Sequence, residues 1–479
     1  MSLIWLGEVP ELDKTLVGGK ARSINHMRHI GLPVPPAFVL STEFCTEVTA
    51  NDGRLTVTAR AALHDGLRQL EETSERRLGG VDRPLLVSVR SGGAQSMPGM
   101  MDTVLNLGMN DEVERRIATV TGDAAFAADT HRRFREQYLK VVGREASGDP
   151  WHDLEQAAEA VFASWNSPRA ISYRKHHEIS GEGGTAVTVQ AMVFGNYDVD
   201  SGTGVLFSRN PLTGDREPFG EWLPGGQGED VVSGRFDAQP LDTLLAQLPS
   251  VHGELLQAAA TLERLGKDAQ DIEFTVESGR LWLLQTRAAK RSPLAAVRIA
   301  VHLADDGVIS RDEALSLVTK DQIAAASRPH IDPQARATAT VLAQGEPACP
   351  GVAVGRVVTD CEQAEDLVDE GVSVVLARPT TDPDDVSGMV VSAAIVTEVG
   401  GATSHAAVVS RELGTPCVVG CGQGTTETIK DRVVTVDGTS GEIFDGELPL
   451  VTADGPEKEA AATLKRWAED RRLAFQGTS

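Results

Sequence analysis

QDIEFTVESGRLWLLQTRAAK, residues 270–290, carries two alternating runs on either side of Ser278-Gly279-Arg280. Period-two alternation marks strands with one buried face, and a short glycine-containing break between two such runs predicts a β-hairpin. Reading 278–280 as a three-residue loop pairs Glu277 with Leu281, Glu273 with Gln285 and Asp271 with Arg287. Side chains alternate between faces, so Asp271, Glu273, Gln285 and Arg287 share one face, and Ile272, Phe274, Val276, Trp282 and Leu284 the other. A slip of one residue would mix the two sets, so the pattern selects this register. The polar face offers hard oxygen donors beside a guanidinium, a combination suited to a magnesium ion bridging phosphates. A solvated face with cross-strand ion pairs is the alternative.

Working outward, LLVSVRS (85–91), TAVTVQAMV (185–193) and TGVLFSR (203–209) are rich in β-branched residues and predict strands. Apolar spacing of three and four predicts a helical part over about 111–174. Ser292-Pro293 supplies a cap with a first-turn proline, and Ser310 with Glu313 a capping box, for two short helices up to Val318. Residues 324–347 hold Pro329, Pro333 and an Ala/Thr run without strong periodicity, a linker signature. ACPGVAVGRVV, VSVVLAR, AAIVTEV and RVVTVDG then alternate with helix-like stretches to about Phe444, and PEKEAAATLKRWAEDRRLAF (456–475) predicts a charged terminal helix. The expected organisation is residues 1–289, a helical segment and linker over 290–340, a compact α/β domain over 341–446, and a helical tail over 447–479.

Composition excludes several classes. A net charge of −24 without a basic stripe argues against nucleic-acid binding, although a few placed Lys and Arg can still serve one triphosphate. No apolar run approaches a membrane span, and MSLIWLGEVPELDK lacks the layout of a signal peptide, so a cytoplasmic chain is expected. The five cysteines are scattered, as reduced structural thiols are, and Cys417 and Cys421 have no second Cys/His pair beside them.

Three further segments bear charge in unusual settings. TLVGGKARS places Lys20 after two glycines but lacks the P-loop spacing, and a surface lysine after a turn is the plainer reading. In SVRSGGAQSMPGMMDT (88–103), Arg90 interrupts an apolar strand ahead of a Gly/Met/Pro loop, so it needs an anionic partner: a phosphate, or an internal carboxylate. In GGATSHAAVVSREL, His405 stands at the start of an amphipathic helix that Thr403 or Ser404 can cap. It reads as a core histidine, a metal ligand or a reacting group. No Cys, His or carboxylate cluster lies within a turn or two on its face, and Ser404 is too close in sequence to form a serine-type pair with it.

Together, GGKARSI, VRSGGAQSMPGMMDTVLNLG, TVQAMVFGN, SGTGVLFSRNPLTG, GEWLPGGQGEDVVSG and QDIEFTVESGRLWLLQTR resemble the ATP-grasp half of the pyruvate, phosphate dikinase family. GGATSHAAVVSRELGTPCVVGCG resembles that family's phosphohistidine, or PEP-utilising mobile, domain. The resemblance implies an α/β and α+β multidomain chain in which an ATP-grasp domain precedes a swivelling β/α phosphohistidine domain. By position, it implies that Lys20, Arg90, Gly99 and Thr103 hold nucleotide phosphates and that Gln190 contacts the adenine side. It further implies that Glu273 and Gln285, with Asp271 nearby, hold magnesium, that Arg287 binds phosphate, and that His405 becomes phosphorylated.

The implied chemistry runs from ATP to a pyrophosphorylated His405 with release of AMP. Inorganic phosphate then removes the terminal phosphoryl group. Family members continue into a pyruvate- or PEP-binding barrel, which this sequence does not extend into, so the expected acceptor is pyruvate or another molecule held by a separate protein. Transfer to a specialised small molecule, and a catalytically idle ATP-binding regulatory module, are the alternatives.

Overall fold

A computed structural model of the chain describes residues 2–95, 97, 100–176, 179–181, 183–232, 238–325, 330–451 and 456–476. The chain divides into two compact units, Met1–Gly202 with Phe274–Thr286, and Thr203–Glu273 with Arg287–Ser479. Among the described residues no helix is long and apolar enough to cross a membrane.

The first unit is built on a five-stranded sheet in the order Leu3–Trp5, Ala37–Leu40, Ala186–Ala191, Val87–Gly92, Thr103–Leu107, with antiparallel neighbours throughout. The strands Ala37–Leu40 and Ala186–Ala191 are buried along their whole length. The predicted helical part consists of Asp111–Thr121, Ala124–Val142, Pro150–Ala163 and Pro168–His176. Asn110, Asp123 and Asp149 cap the first three, each side chain accepting from backbone N–H groups of the first turn. Phe126, Phe134, Tyr138, Leu154 and Phe162 from these helices and Val87, Val89 and Val104 from the sheet share one apolar core.

The second unit contains two large sheets and a two-stranded pairing of His330–Ile331 with Leu450–Val451. The first has the order Gln239–Pro240, Phe219–Pro224, Gly202–Phe207, Gln270–Glu277, Arg280–Ala288, most of the last two strands being counted with the first unit. Ser292 caps Pro293–Asp305, and Ser310 with Glu313 forms the expected capping box on Arg311–Ser316. The terminal helix Pro456–Gln476 is not free: Ala460, Ala461, Leu464 and Trp467 pack into the core around Ile299 and Leu303.

The hairpin corrects the sequence reading at its tip. Ser278 and Gly279 both have positive φ, 50° and 71°, and the second strand already begins at Arg280. The loop therefore has two residues rather than three, in the left-handed pair that matches strand twist. Pairing next to the turn moves by one, and Leu281 and Leu283 become the buried residues while Trp282 and Leu284 are only partly covered. The guanidinium of Arg280 lies 4.1 Å from the Trp282 ring centroid.

The other sheet has eight strands, ordered Val341–Gln344, Glu442–Asp445, Val433–Asp437, Val352–Val358, Val374–Arg378, Ala394–Thr397, Cys417–Val419, Glu346–Cys349. Its middle, from Val352–Val358 to Cys417–Val419, is parallel, and its flanks are antiparallel. Within the 324–347 stretch lie the short helix Pro333–Thr338 and the strand Val341–Gln344, whose partner strand Glu442–Asp445 comes a hundred residues later. Parallel strands buried on both faces give continuous Val/Ile runs, and the carboxyl ends of such strands are where open α/β sheets place their sites.

Candidate functional site

In the first unit, most of the residues expected to hold the nucleotide gather on one sheet. Arg90 pairs directly with Thr103 on one side and Thr188 on the other, so these three side chains project from the same face. Gln190, two residues beyond Thr188, shares that face, and its Nε2 donates to the Pro35 carbonyl at 3.3 Å. Lys20 enters from the helix Lys14–His29, which breaks at Gly18 with φ 78° and ψ 162°. A Cβ on Gly18 would stand 2.2 Å from the Gly92 carbonyl, so only glycine lets the Gly18-Gly19-Lys20 turn approach the loop after Arg90. Gly19 N–H closes that approach by donating to Gly93 O at 3.0 Å. Asp102, just before Thr103, is ion-paired with Arg169. Gly99 lies outside the described residues.

At the base of the hairpin, Arg287 Nε donates to Asp271 Oδ2 at 2.7 Å, and Asp271 is only 3% exposed. Burial pushes the Asp271 carboxyl up; Arg287 pulls it down, and the neighbouring Glu273 carboxylate adds to the rise. Burial also works against the charge of Arg287, but Asp271 and Glu273 outweigh it and hold the guanidinium firmly protonated. Two carboxylates and one cation on adjoining positions fit a magnesium ion, which takes one or two carboxylates and completes its shell with water and phosphate oxygens. Gln285 is partly buried on the returning strand and is counted with the first unit.

His405 opens the helix His405–Leu413, with Ser404 as its cap at φ −60° and ψ 162°. The helix follows the parallel strand Ala394–Thr397, and the loop after the adjacent parallel strand Val374–Arg378 brings Thr381 to it. Thr381 Oγ1 and His405 Nδ1 are 3.2 Å apart, whereas Nε2 is shielded from solvent and has no hydrogen-bond partner among the described residues. Burial lowers the imidazole pKa, with Asp382 and Asp385 pulling the other way. The ring thus has Nδ1 engaged and Nε2 unpartnered among the described residues, at the N-terminus of a helix, where backbone N–H groups favour an anion.

Sequence reasoning missed three contributors. Thr381 lies 24 residues before His405 and bears no local signal. Arg411, 2% exposed, donates from Nη1 to the carbonyls of Ala402 at 2.7 Å and Ala348 at 3.2 Å, tying the loop before His405 to the helix body. Glu221 accepts from the Thr403 hydroxyl at 2.5 Å. Its signal was present: a carboxylate between Gly220 and Trp222 in a buried strand calls for partners, as Arg90 did.

Residues 55–243 match the family model for the pyruvate phosphate dikinase AMP/ATP-binding domain, and residues 371–441 match the mobile domain of PEP-utilising enzymes. By sequence the chain is similar to pyruvate, phosphate dikinases along nearly all of its length. It is 37% identical to the pyruvate, phosphate dikinase of Rhizobium meliloti over 96% of this chain and 59% of that one. The chloroplastic enzyme of Mesembryanthemum crystallinum is 38% identical over 96% of this chain and 54% of its own length. That of Clostridium symbiosum is 37% identical over 91% and 57%. The chain thus spans little more than half the length of the curated relatives it matches. The two matched domain models bear out the architecture expected from the motifs, an ATP-grasp domain followed by a phosphohistidine domain.

Proposed function

We propose that this chain is an ATP-dependent phosphotransferase of the dikinase type in which His405 carries the phosphoryl group. The observation that carries the reading is the His405 ring itself: its charged form disfavoured by burial, anchored at Nδ1 and unpartnered at Nε2, at the start of a capped helix. Nε2 attacks the β-phosphorus of ATP, the bond from that phosphorus to the α,β-bridging oxygen breaks, and AMP leaves. An oxygen of inorganic phosphate then attacks the terminal phosphorus, pyrophosphate leaves, and one phosphoryl group stays on His405. Phosphoryl transfer of this kind needs positioning and charge neutralisation more than covalent help from the protein.

Lys20, Arg90 and Thr103 hold the phosphates in this reading, with Gln190 on the adenine side. Arg287 adds a fixed positive charge, and Asp271, Glu273 and Gln285 are the magnesium ligands. Bound magnesium neutralises and aligns phosphate oxygens. The phosphoryl group then passes to pyruvate or another acceptor, held by a separate protein or by a domain beyond these two.

The test uses ATP labelled at the β-phosphate, with magnesium and inorganic phosphate. Acid-labile label on the chain, lost in His405→Ala, is the expected result, and an unlabelled wild type overturns the reading in favour of a nucleotide-binding module. Adding pyruvate alone, then a pyruvate-binding barrel protein, identifies the acceptor by which addition discharges the label.

A further inference from the structure

Two hydroxyls precede His405, and they have different jobs. Ser404 caps the helix, whereas the Thr403 hydroxyl leaves its own segment and donates to Glu221 Oε2 at 2.5 Å, across 182 residues of sequence. The backbone N–H groups of Ala402 and Thr403 face the same carboxylate. Gly401 lies against its other oxygen: a Cβ there would stand 2.5 Å from Glu221 Oε1. Glu221 is 7% exposed, so its carboxylate depends on these partners in place of water. Burial pushes its carboxyl up, and the Thr403 hydroxyl and the Ala402 N–H pull it back. Arg411 Nη1 donates to the Ala402 carbonyl at 2.7 Å. The segment Gly401–Thr403 is thus held between a carboxylate on the strand Phe219–Pro224 and a guanidinium on the carrier helix.

The strand Phe219–Pro224 belongs to the sheet that carries Asp271 two strands away and Arg287 three strands away. We propose that Glu221 is a positioning residue for phosphoryl uptake: its carboxylate clasps Gly401–Thr403 and fixes where His405 Nε2 stands with respect to the Asp271–Arg287 end of that sheet. The proposal rests on the carrier reading of His405. Glu221 touches no reacting atom; it acts through the backbone and hydroxyl it holds. Its bonds to the carrier segment are hydrogen bonds to side chain and backbone, strong enough to orient the loop and weak enough to be broken within a catalytic cycle.

Single-turnover labelling from β-labelled ATP on the full chain tests the clasp. In Glu221→Ala the labelling rate constant at saturating ATP is expected to fall roughly 10- to 100-fold, the scale of a misplaced nucleophile. The ATP concentration for half-saturation should stay within about twofold, because nucleotide binding does not use the clasp. Glu221→Gln, whose amide oxygen still accepts from Thr403, should recover much of the rate, and Gly401→Ala should reproduce the loss with Glu221 intact. Thr403→Val removes the hydroxyl alone and decides the matter where Glu221→Ala does not fold. Wild-type rates in Glu221→Ala or, failing that, in Thr403→Val overturn the clasp, as does a loss of ATP affinity in parallel with rate. A wild-type chain that takes no label sinks the carrier reading instead, which is a separate outcome.

Discussion

On the carrier reading proposed here, His405 must keep a lone pair to attack phosphorus, and its surroundings favour that form. Burial disfavours the imidazolium, while the negative charges of Asp382 and Asp385 favour it; burial is the larger effect. Its pKa therefore lies below the ordinary 6.5, and the neutral form persists to more acid pH than in a free imidazole. The labelling rate of His405 should stay flat from the alkaline side down through the ordinary imidazole range and fall only below it, in rapid-quench measurements between about pH 5 and 8. Asp382→Asn removes a charge that stabilises the imidazolium and should move the acid limb to still lower pH. Movement upward would contradict the assignment. At this scale the sequence revealed His405 through its Gly-Gly loop and helix start, but not Thr381. The two meet only because the parallel strands Val374–Arg378 and Ala394–Thr397 are neighbours and open at the same edge.

Elements were legible wherever local chemistry decides them. The capping box at Ser310, the Ser292 cap and the buried strands around Arg90 all follow from residues within a few positions. The hairpin's turn was misread because its first left-handed residue is Ser278, and serine gives no warning of a positive φ as glycine does. The helix His405–Leu413 hid a second feature. Its amphipathic pattern marks Ala406, Ala407 and Val409 as inward, yet Arg411 is buried with them. Arg411→Leu would fill the space without donors, leaving the carbonyls of Ala402 and Ala348 each short of a hydrogen bond, at about 1–3 kcal/mol apiece. Slower labelling of His405 with unchanged ATP affinity is expected. Unaltered labelling in a folded Arg411→Leu chain would show that the carbonyl of Ala402 needs no such anchor.

At the scale of the molecule, long-range charge pairs hold the second unit together. Arg209, 4% exposed, binds Glu263 Oε1 at 2.7 Å and Asp306 Oδ2 at 2.9 Å, joining the end of one strand to two helices. Removing one partner of a buried pair strands the other, at about 3–5 kcal/mol. Arg209→Met should therefore speed hydrogen exchange across Pro249–Gly266 and Pro293–Asp305, while exchange in Asp111–Val142, which belongs to the first unit, stays unchanged. None of these partnerships is visible in a linear pattern, because each joins residues tens of positions apart. The same holds for the division into units, which takes Phe274–Thr286 into the first and leaves Thr203–Glu273, just before it, in the second.

That interleaving has a consequence for birth on the ribosome. Domains of a nascent chain ordinarily fold in turn as each emerges. Here the first unit lacks thirteen of its own residues until Thr286 has been made, and by then Thr203–Glu273 is already waiting for strands and helices not yet translated. The two units must mature as overlapping events. A pause or cleavage anywhere between Thr203 and Thr286 would leave both unfinished, so synthesis errors in this window should be the costliest in the chain.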